Sequence, residues 1–409
     1  MTSSKGPADA ALAAAWEAFC DDLRRAGRLA FKSASPANPL QRADAFRFLT
    51  QNLGQAFDLA LETKDPAYPQ IHPFCTPFRK LGGDVADFTY RQAWIDGAHT
   101  YRITGQRGTA RFFNVTVQGP RPERLANGDK SLHEPFGDVP EANLFGQQLQ
   151  LAPDGSFELT IGGDRQGLNW LPTTPGSRKL FIREGFDGWD ETPTPLTIER
   201  LGMTTPRPLP DPDRMIEAID WAGQFLTGAM TDWPEHSWRN SGGVVDPAAP
   251  NRFPPAQASG ADDARRGRMA AHMVWDLAPD EALIVSFAAH SGFWMMSLGG
   301  AFMNSMDFLY RPVSYTPARA AVDADGKVRL VLAHDDPGIA NWLDTQTFSR
   351  GNLTYRNLLS QAEAEFTTHV VRRTDLLEAL PPGTALMEPG GRTAEMLRRY
   401  RSVKRRYGI

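Results

Sequence analysis

The sequence predicts a mainly β chain with added helices (α+β), built from two antiparallel β-sandwich units related by internal duplication. Three observations carry this prediction. Short runs with period-two alternation, among them Phe88–Trp94, Tyr101–Ile103 and Arg111–Val117, are joined by Gly-containing turns. The 36 Gly and 32 Pro fit a turn-rich β chain. Most telling, the stretch from Asp325-Gly326 through Asn341-Trp342 echoes the stretch from Asp154-Gly155 through Asn169-Trp170. The glycines of the two copies lie 171 residues apart and the tryptophans 172. Self-similarity at a fixed offset is the mark of a duplicated unit.

Taken in order, residues 8–31 and 41–63 have helical spacing, with Leu12, Trp16, Phe19 and Leu23 on one stripe and Phe46, Leu49, Leu53, Phe57 and Leu61 on the other. They form a helical N-terminal module, residues 1–65, packed on the first sheet. The first β unit spans 66–205 and includes a polar loop at 119–143. Pro206, Pro208, Pro210 and Pro212 mark a linker. A helix over Met215–Met230 and a long Pro-, Gly- and Asp-rich loop at 234–266 complete the segment 206–270; a loop of that length suits a lid or an interface. The second unit spans 271–372, with Trp275 matched to Trp94, Ile284 to Ile103 and Trp294 to Phe113, each 181 apart. A helical tail occupies 373–409, and its basic run Arg398–Arg406 reads as a solvated charged face.

Composition bounds the function. Net charge is −4, so no global pull toward nucleic acid or anionic membrane is expected. No run approaches the roughly 20 apolar residues of a membrane span, and the N-terminus reads as an amphipathic helix. A cytoplasmic location follows as the expectation. Cys20 and Cys75, placed on a helix and a loop, are expected to be reduced thiols. No H-E-x-x-H, paired C-x-x-C, P-loop or G-x-S-x-G appears. The eight histidines (72, 99, 133, 236, 272, 290, 334, 369) have no local ligand spacing. No metal and no cofactor is therefore expected, although ligands drawn from separate strands stay open.

The stretch DGSFELTIGGDRQGLNWLPTTPGSRKLFIREGFDGWDETPTPLTIER (154–200) resembles the bacterial "domain of unknown function 1214" family, itself related to the "domain of unknown function 1254" family. WDLAPDEALIV, FWMMSLGGAFMNSMDFLYR and VDADGKVRLVLAHDDPGIANWLDT look like a second motif set of longer members, extending the likeness over about residues 40–372. The resemblance implies jelly-roll-like β-sandwich units with helical additions. It brings no catalytic mechanism.

The duplication offers a filter for chemistry. Residues shared by both copies, such as Asn169 and Asn341, are assigned to architecture, where they satisfy turn backbone groups. Residues found in one copy are the functional candidates: His334, His290, Asp336, Asp344 and Arg311 as catalytic groups, and Phe293, Trp294, Tyr310 and Met296 as ligand-binding ones. A His–carboxylate pair does general acid–base work, because the carboxylate fixes the imidazole tautomer and raises its pKa. The expectation is a cofactor-independent enzyme, of hydrolase or lyase type, acting on a small apolar or aromatic substrate by hydrolysis, elimination or isomerisation. The alternative is a non-catalytic β-sandwich module that binds carbohydrate or a protein partner. Neither nucleic acid nor membrane is an expected partner, and homo-oligomerisation stays open.

Overall fold

The computed structural model describes residues 6–32, 36–120, 138–231, 249–256, 269–360, 362 and 364–409. The loop expected at 234–266 lies outside the described residues apart from 249–256, as do residues 121–137, which include His133.

Helices α1 (Pro7–Leu29), α2 (Pro39–Phe57) and α3 (Pro212–Met230) begin with proline in the first turn, where its missing N–H costs no hydrogen bond. Asn38 caps α2 by accepting from Leu40 N at 2.8 Å, and Asp211 caps α3 by accepting from Arg214 N at 2.8 Å. The second predicted helix is shorter than expected. It passes after Phe57 into a π turn at Asp58–Glu62, a feature that often marks a functional site.

The first β unit comprises β1 (His72–Cys75), β2 (Phe88–Trp94), β3 (Tyr101–Gln106), β4 (Phe112–Pro120), β5 (Asp138–Phe145), β6 (Ser156–Ile161), β7 (Trp170–Leu171), β8 (Lys179–Gly185) and β9 (Leu196–Arg200). The second comprises β10 (Met269–Asp276), β11 (Glu281–Ala288), β12 (Trp294–Gly299), β13 (Ser314–Tyr315), β14 (Lys327–Ala333), β15 (Trp342–Asp344), β16 (Arg350–Asn357) and β17 (Thr367–Arg372). Sheet order is β1-β2-β8-β4-β5 facing β7-β6-β3-β9 in the first, and β10-β16-β12-β13 facing β15-β14-β11-β17 in the second. Remove β1 and the two orders are the same. Even the short parallel pairs recur, β6 with β7 and β14 with β15. The chain is thus mainly β with added helices, in two topologically identical sandwich units. Cys75 lies on β1 rather than in a loop, and both thiols are free.

The shared motif is architectural in detail. Gly155 and Gly326 take positive φ, +84° and +77°, at equivalent turns. Asn169 exchanges two 2.8 Å hydrogen bonds with the Gln150 backbone, and Asn341 makes the same pair with Ala321. Trp170 and Trp342 donate from Nε1 to Gly162 O and Ala333 O.

Two of the strand matches need correction. Leu159 pairs with Ile103, while its counterpart Leu330 pairs with Val285, so Ile103 corresponds to Val285 and not to Ile284. Trp94 and Trp275 point to opposite faces: Trp94 packs among the helices and Trp275 in the second sandwich core. A one-residue slip in strand register exchanges faces. Trp275 instead faces Gly351 across the ladder, much as Ala93 faces Leu180, with large and small exchanged between the strands.

The helices pack against both units. One apolar cluster joins α1, α2 and α3 to Phe88, Tyr90, Trp94 and Phe112 of the first unit and to Phe293, Met295 and Leu358 of the second. Helix α4 (Leu376–Ala379) and the longer α5 (Gly391–Tyr407) close the chain. The basic tail is not uniformly solvated as expected, since Arg399 and Arg406 are buried. Among the described residues, no helix is long and apolar enough to cross a membrane.

Candidate functional site

The residues expected to form one site are dispersed. His334 and His290 lie beyond opposite ends of the β11–β14 ladder, on the order of 25 Å apart at strand rise. His334 is half-buried, and its ring contacts Thr345 Oγ1 at 2.7 Å and Ala278 O at 3.1 Å, with no carboxylate partner among the described residues. Asp336 pairs with Arg392 at 3.0 Å and Asp344 with Arg311 at 2.7 Å. His290 Nε2 meets Tyr355 Oη at 3.0 Å, and burial with the nearby Arg111 pulls its pKa down. The expected His–Asp pair is absent at both histidines.

The proposed ring-lined hollow is corrected as well. Trp294 and Met296 are core side chains of the second sandwich, and Phe293 stacks on Phe88 with centroids 6.2 Å apart. Tyr310 is exposed and stacked on Tyr400. Alternation puts Trp294 and Met296 of β12 on one face and Phe293, just before it, on the other, so the three cannot line one cavity.

A cavity of about 280 Å³ lies elsewhere, against the outer face of β2, β8 and β4 and beneath the helices. Its floor follows from strand periodicity and register. Tyr90, Gln92 and Trp94 of β2 share one face, as do Lys179, Phe181 and Arg183 of β8. The ladder sets Tyr90 opposite Arg183, Gln92 opposite Phe181 and Trp94 opposite Lys179. The opposite face of these strands carries Ala93, Leu180 and Ile182, all sandwich core. The roof brings Leu59 from the π turn, Trp221 and Phe225 from α3, and Arg356 from β16 of the second unit. Other hollows, beside Gly105 and Asn169 and beside Asp280 and Arg372, are open surface depressions.

Polar groups are concentrated here. Lys179 pairs with Asp138 at 2.7 Å and lies 5.5 Å from the Trp94 ring centroid. Lys64 sits over both Trp94 and Trp221, 5.2 and 5.1 Å from their centroids. Arg183 donates to Asn114 Oδ1 at 2.8 Å, and Arg356 to Gly83 O at 3.3 Å. Among the described residues, no acceptor meets the buried lining donors Trp94 Nε1, Trp221 Nε1 and Arg356 Nε. Burying an N–H without a partner costs about 1–3 kcal/mol.

One wall is titratable. Asp84 accepts from Ser305 N at 2.7 Å and Oγ at 2.5 Å, while Lys80 donates to the same Oγ at 2.8 Å. Burial pushes the Asp84 carboxyl up and pulls Lys80 down to about 8, each charge partly restoring the other. Among the described residues, no group of three or more His, Cys, Asp or Glu is placed to hold a metal ion.

The crystal structure of an uncharacterized protein from Burkholderia cenocepacia superposes with a TM-score of 0.77 at 30% identity, covering 88% of this chain and 97% of that one. A family profile described as "Protein of unknown function (DUF1214)" matches residues 86–183. The chain belongs to the DUF1214 family. A Vibrio parahaemolyticus protein aligns over 80% of this chain and 98% of its own at 12% identity and a TM-score of 0.43. No curated protein matches. The DUF1214 segment runs from just before β2 into β8, so it contains the β2 and β8 part of the cavity floor, from Tyr90 to Arg183, while Phe74 and Cys75 of β1 lie outside it. Arg356 and the helical roof lie outside it. The alternating patterns Tyr90-x-Gln92-x-Trp94 and Lys179-x-Phe181-x-Arg183 were the available signal: rings and cations alternating with the sandwich-core residues Ala93, Leu180 and Ile182.

Proposed function

We propose that this DUF1214 protein binds a small ring-bearing compound with an anionic group, such as an aromatic carboxylate, in the cavity between the first sandwich and the helices. The observation that carries this reading is the lining itself. Phe74, Tyr90, Trp94, Phe181, Trp221 and Phe225 supply ring faces, and Trp94 Nε1, Trp221 Nε1 and Arg356 Nε supply buried donors without an acceptor among the described residues. Lys179, Arg183 and Arg356 add positive charge. At about 280 Å³ the cavity falls at the lower end of ligand sites, which run from roughly 300 to 1,000 Å³. That size suits a single substituted ring. The test is titration of the purified protein with benzoate and methyl benzoate, following tryptophan emission and heat. Saturable benzoate binding that is weakened by Trp94→Ala and lost for the ester supports the reading; no saturable binding of ring carboxylates removes it.

A second reading adds acid–base turnover of that compound, by hydrolysis, elimination or isomerisation. The observation favouring it is the Asp84–Ser305–Lys80 chain at the cavity wall, whose Lys80 pKa is shifted to about 8. Asp84→Asn with binding intact and turnover lost would separate catalysis from binding. The carbohydrate alternative expects exposed tryptophan rows, and the exposed large apolar residues described include one tryptophan, Trp16.

A further inference from the structure

The basic C-terminal run takes a form that composition does not anticipate. Arg399, Ser402 and Arg406 sit at i, i+3 and i+7 on α5, share one helix face and are each at most 5% exposed. Arg319 joins them from the second unit with its side chain 3% exposed. The facing carboxylate is Asp87, 2.6 Å from Arg319 Nη2 and 3.6 Å from Arg406 Nη1. Glu395 lies 3.9 Å from Arg399 but is held by Arg392. Three guanidiniums therefore meet essentially one carboxylate. Trp189 and Phe186 cover the cations, with Arg319 and Arg399 over the Trp189 ring at 4.4 and 4.9 Å and Arg406 over Phe186 at 4.5 Å.

Hydrogen bonding repeats the shortfall. Arg319 Nε is satisfied by Asp187 O and Thr316 Oγ1, and Arg399 by Ser314 Oγ and O. Yet Arg319 Nη1, Arg399 Nε, Arg406 Nε, Arg406 Nη2 and Ser402 Oγ are buried without a partner among the described residues. Arginine does not shed its proton in proteins, and an uncompensated buried charge costs several kcal/mol. From this excess of charge and donors we infer that the Arg319–Arg399–Ser402–Arg406 cluster encloses a halide-sized inorganic anion, clasping α5 to the two sandwiches. The site is separate from the sheet–helix cavity.

Bromide is the probe. In the full-length protein, replacing gluconate by bromide at constant ionic strength raises the melting temperature along a saturating curve. Crystals grown in bromide show an anomalous peak within hydrogen-bond distance of the partnerless arginine donors. Arg406→Met flattens the melting curve; should that variant fail to fold, Ser402→Ala, which removes one hydroxyl, weakens bromide about tenfold. A linear bromide dependence shared by wild type and Ser402→Ala, or a water molecule in place of the peak, overturns the inference.

Discussion

Arg356→Met separates the roles of the guanidinium in ligand binding and in folding. Among the described residues, this side chain makes one hydrogen bond, a 3.3 Å contact with Gly83 O, and its Nε is buried without a partner. Methionine keeps the length and apolar stem while removing the desolvated charge. The lost hydrogen bond is worth about 0.5–1.5 kcal/mol, and the relieved burial of charge offsets it. Apo stability in urea is thus expected to stay within about 1 kcal/mol of wild type. Binding of a ring carboxylate should behave differently. A charge-assisted hydrogen bond contributes about 1.5–3 kcal/mol, so benzoate affinity should fall roughly tenfold to a hundredfold. The assay pairs calorimetric titration with urea unfolding on the same preparations. Unchanged benzoate affinity in a folded variant would refute the role of Arg356, and a large loss of stability would mark the residue as structural.

Three further expectations concern the frame. His272 is buried with Nδ1 against Thr354 Oγ1 at 2.9 Å, and burial, followed by Arg356, pulls its pKa from 6.5 to about 3. Because the unfolded chain takes up the proton first, this histidine costs stability progressively as pH falls from 6.5 toward 3; His272→Gln should flatten urea-derived stability over that window. Asn341→Ala strands the Ala321 and Arg329 carbonyls and the Ala321 amide around a 5% exposed side chain, a loss of about 2–4 kcal/mol by chemical denaturation, whereas Asn169→Ala, at a half-buried position, should cost under about 1 kcal/mol. Gly351→Ala drives a Cβ to 2.6 Å from the Trp275 ring and 2.4 Å from Gly299 O, and should lower stability by about 1–3 kcal/mol; a neutral result in the same assay would show that the Trp275 packing gives way.

The architecture was legible because its signals are local. An Asp-Gly turn, a strand alternating in period two and an Asn-Trp pair recur with little change, and each maps onto backbone hydrogen bonds that the fold repeats. Strand phase was harder to read. Two tryptophans can match in sequence yet face opposite ways when one residue separates the registers, as Trp94 and Trp275 do. The burial of Arg399 and Arg406 was hidden for another reason. A basic helix usually faces water, and the partners that enclose this one, Asp87, Phe186 and Trp189, come from segments some 200 to 300 residues away.

The cavity was not anticipated because the filter that located the duplication directed attention to the second unit. Looking for residues present in the second copy alone assumes that chemistry follows the extra side chains. The structure puts the cavity on the shared scaffold, where the divergence lies in what each outer sheet face carries. In the first unit the face bears Tyr90, Gln92, Trp94, Lys179, Phe181 and Arg183 around open volume. In the second, the corresponding strands set His272 opposite Thr354 and Thr354 opposite Ser297, and Ser297 Oγ accepts from Ala86 N of the first unit, so that face is closed by contacts along the sheet and with the first unit. Both faces turn toward the same helices, and Arg356 reaches from the second sheet into the cavity of the first. Duplication thus supplies a floor and a neighbouring wall, and the helices convert two sheet faces into one enclosed volume. An isolated first unit would carry every aromatic residue of the floor and lack Arg356, Trp221 and Phe225, so it should lose the ring-carboxylate binding that the full chain is expected to have.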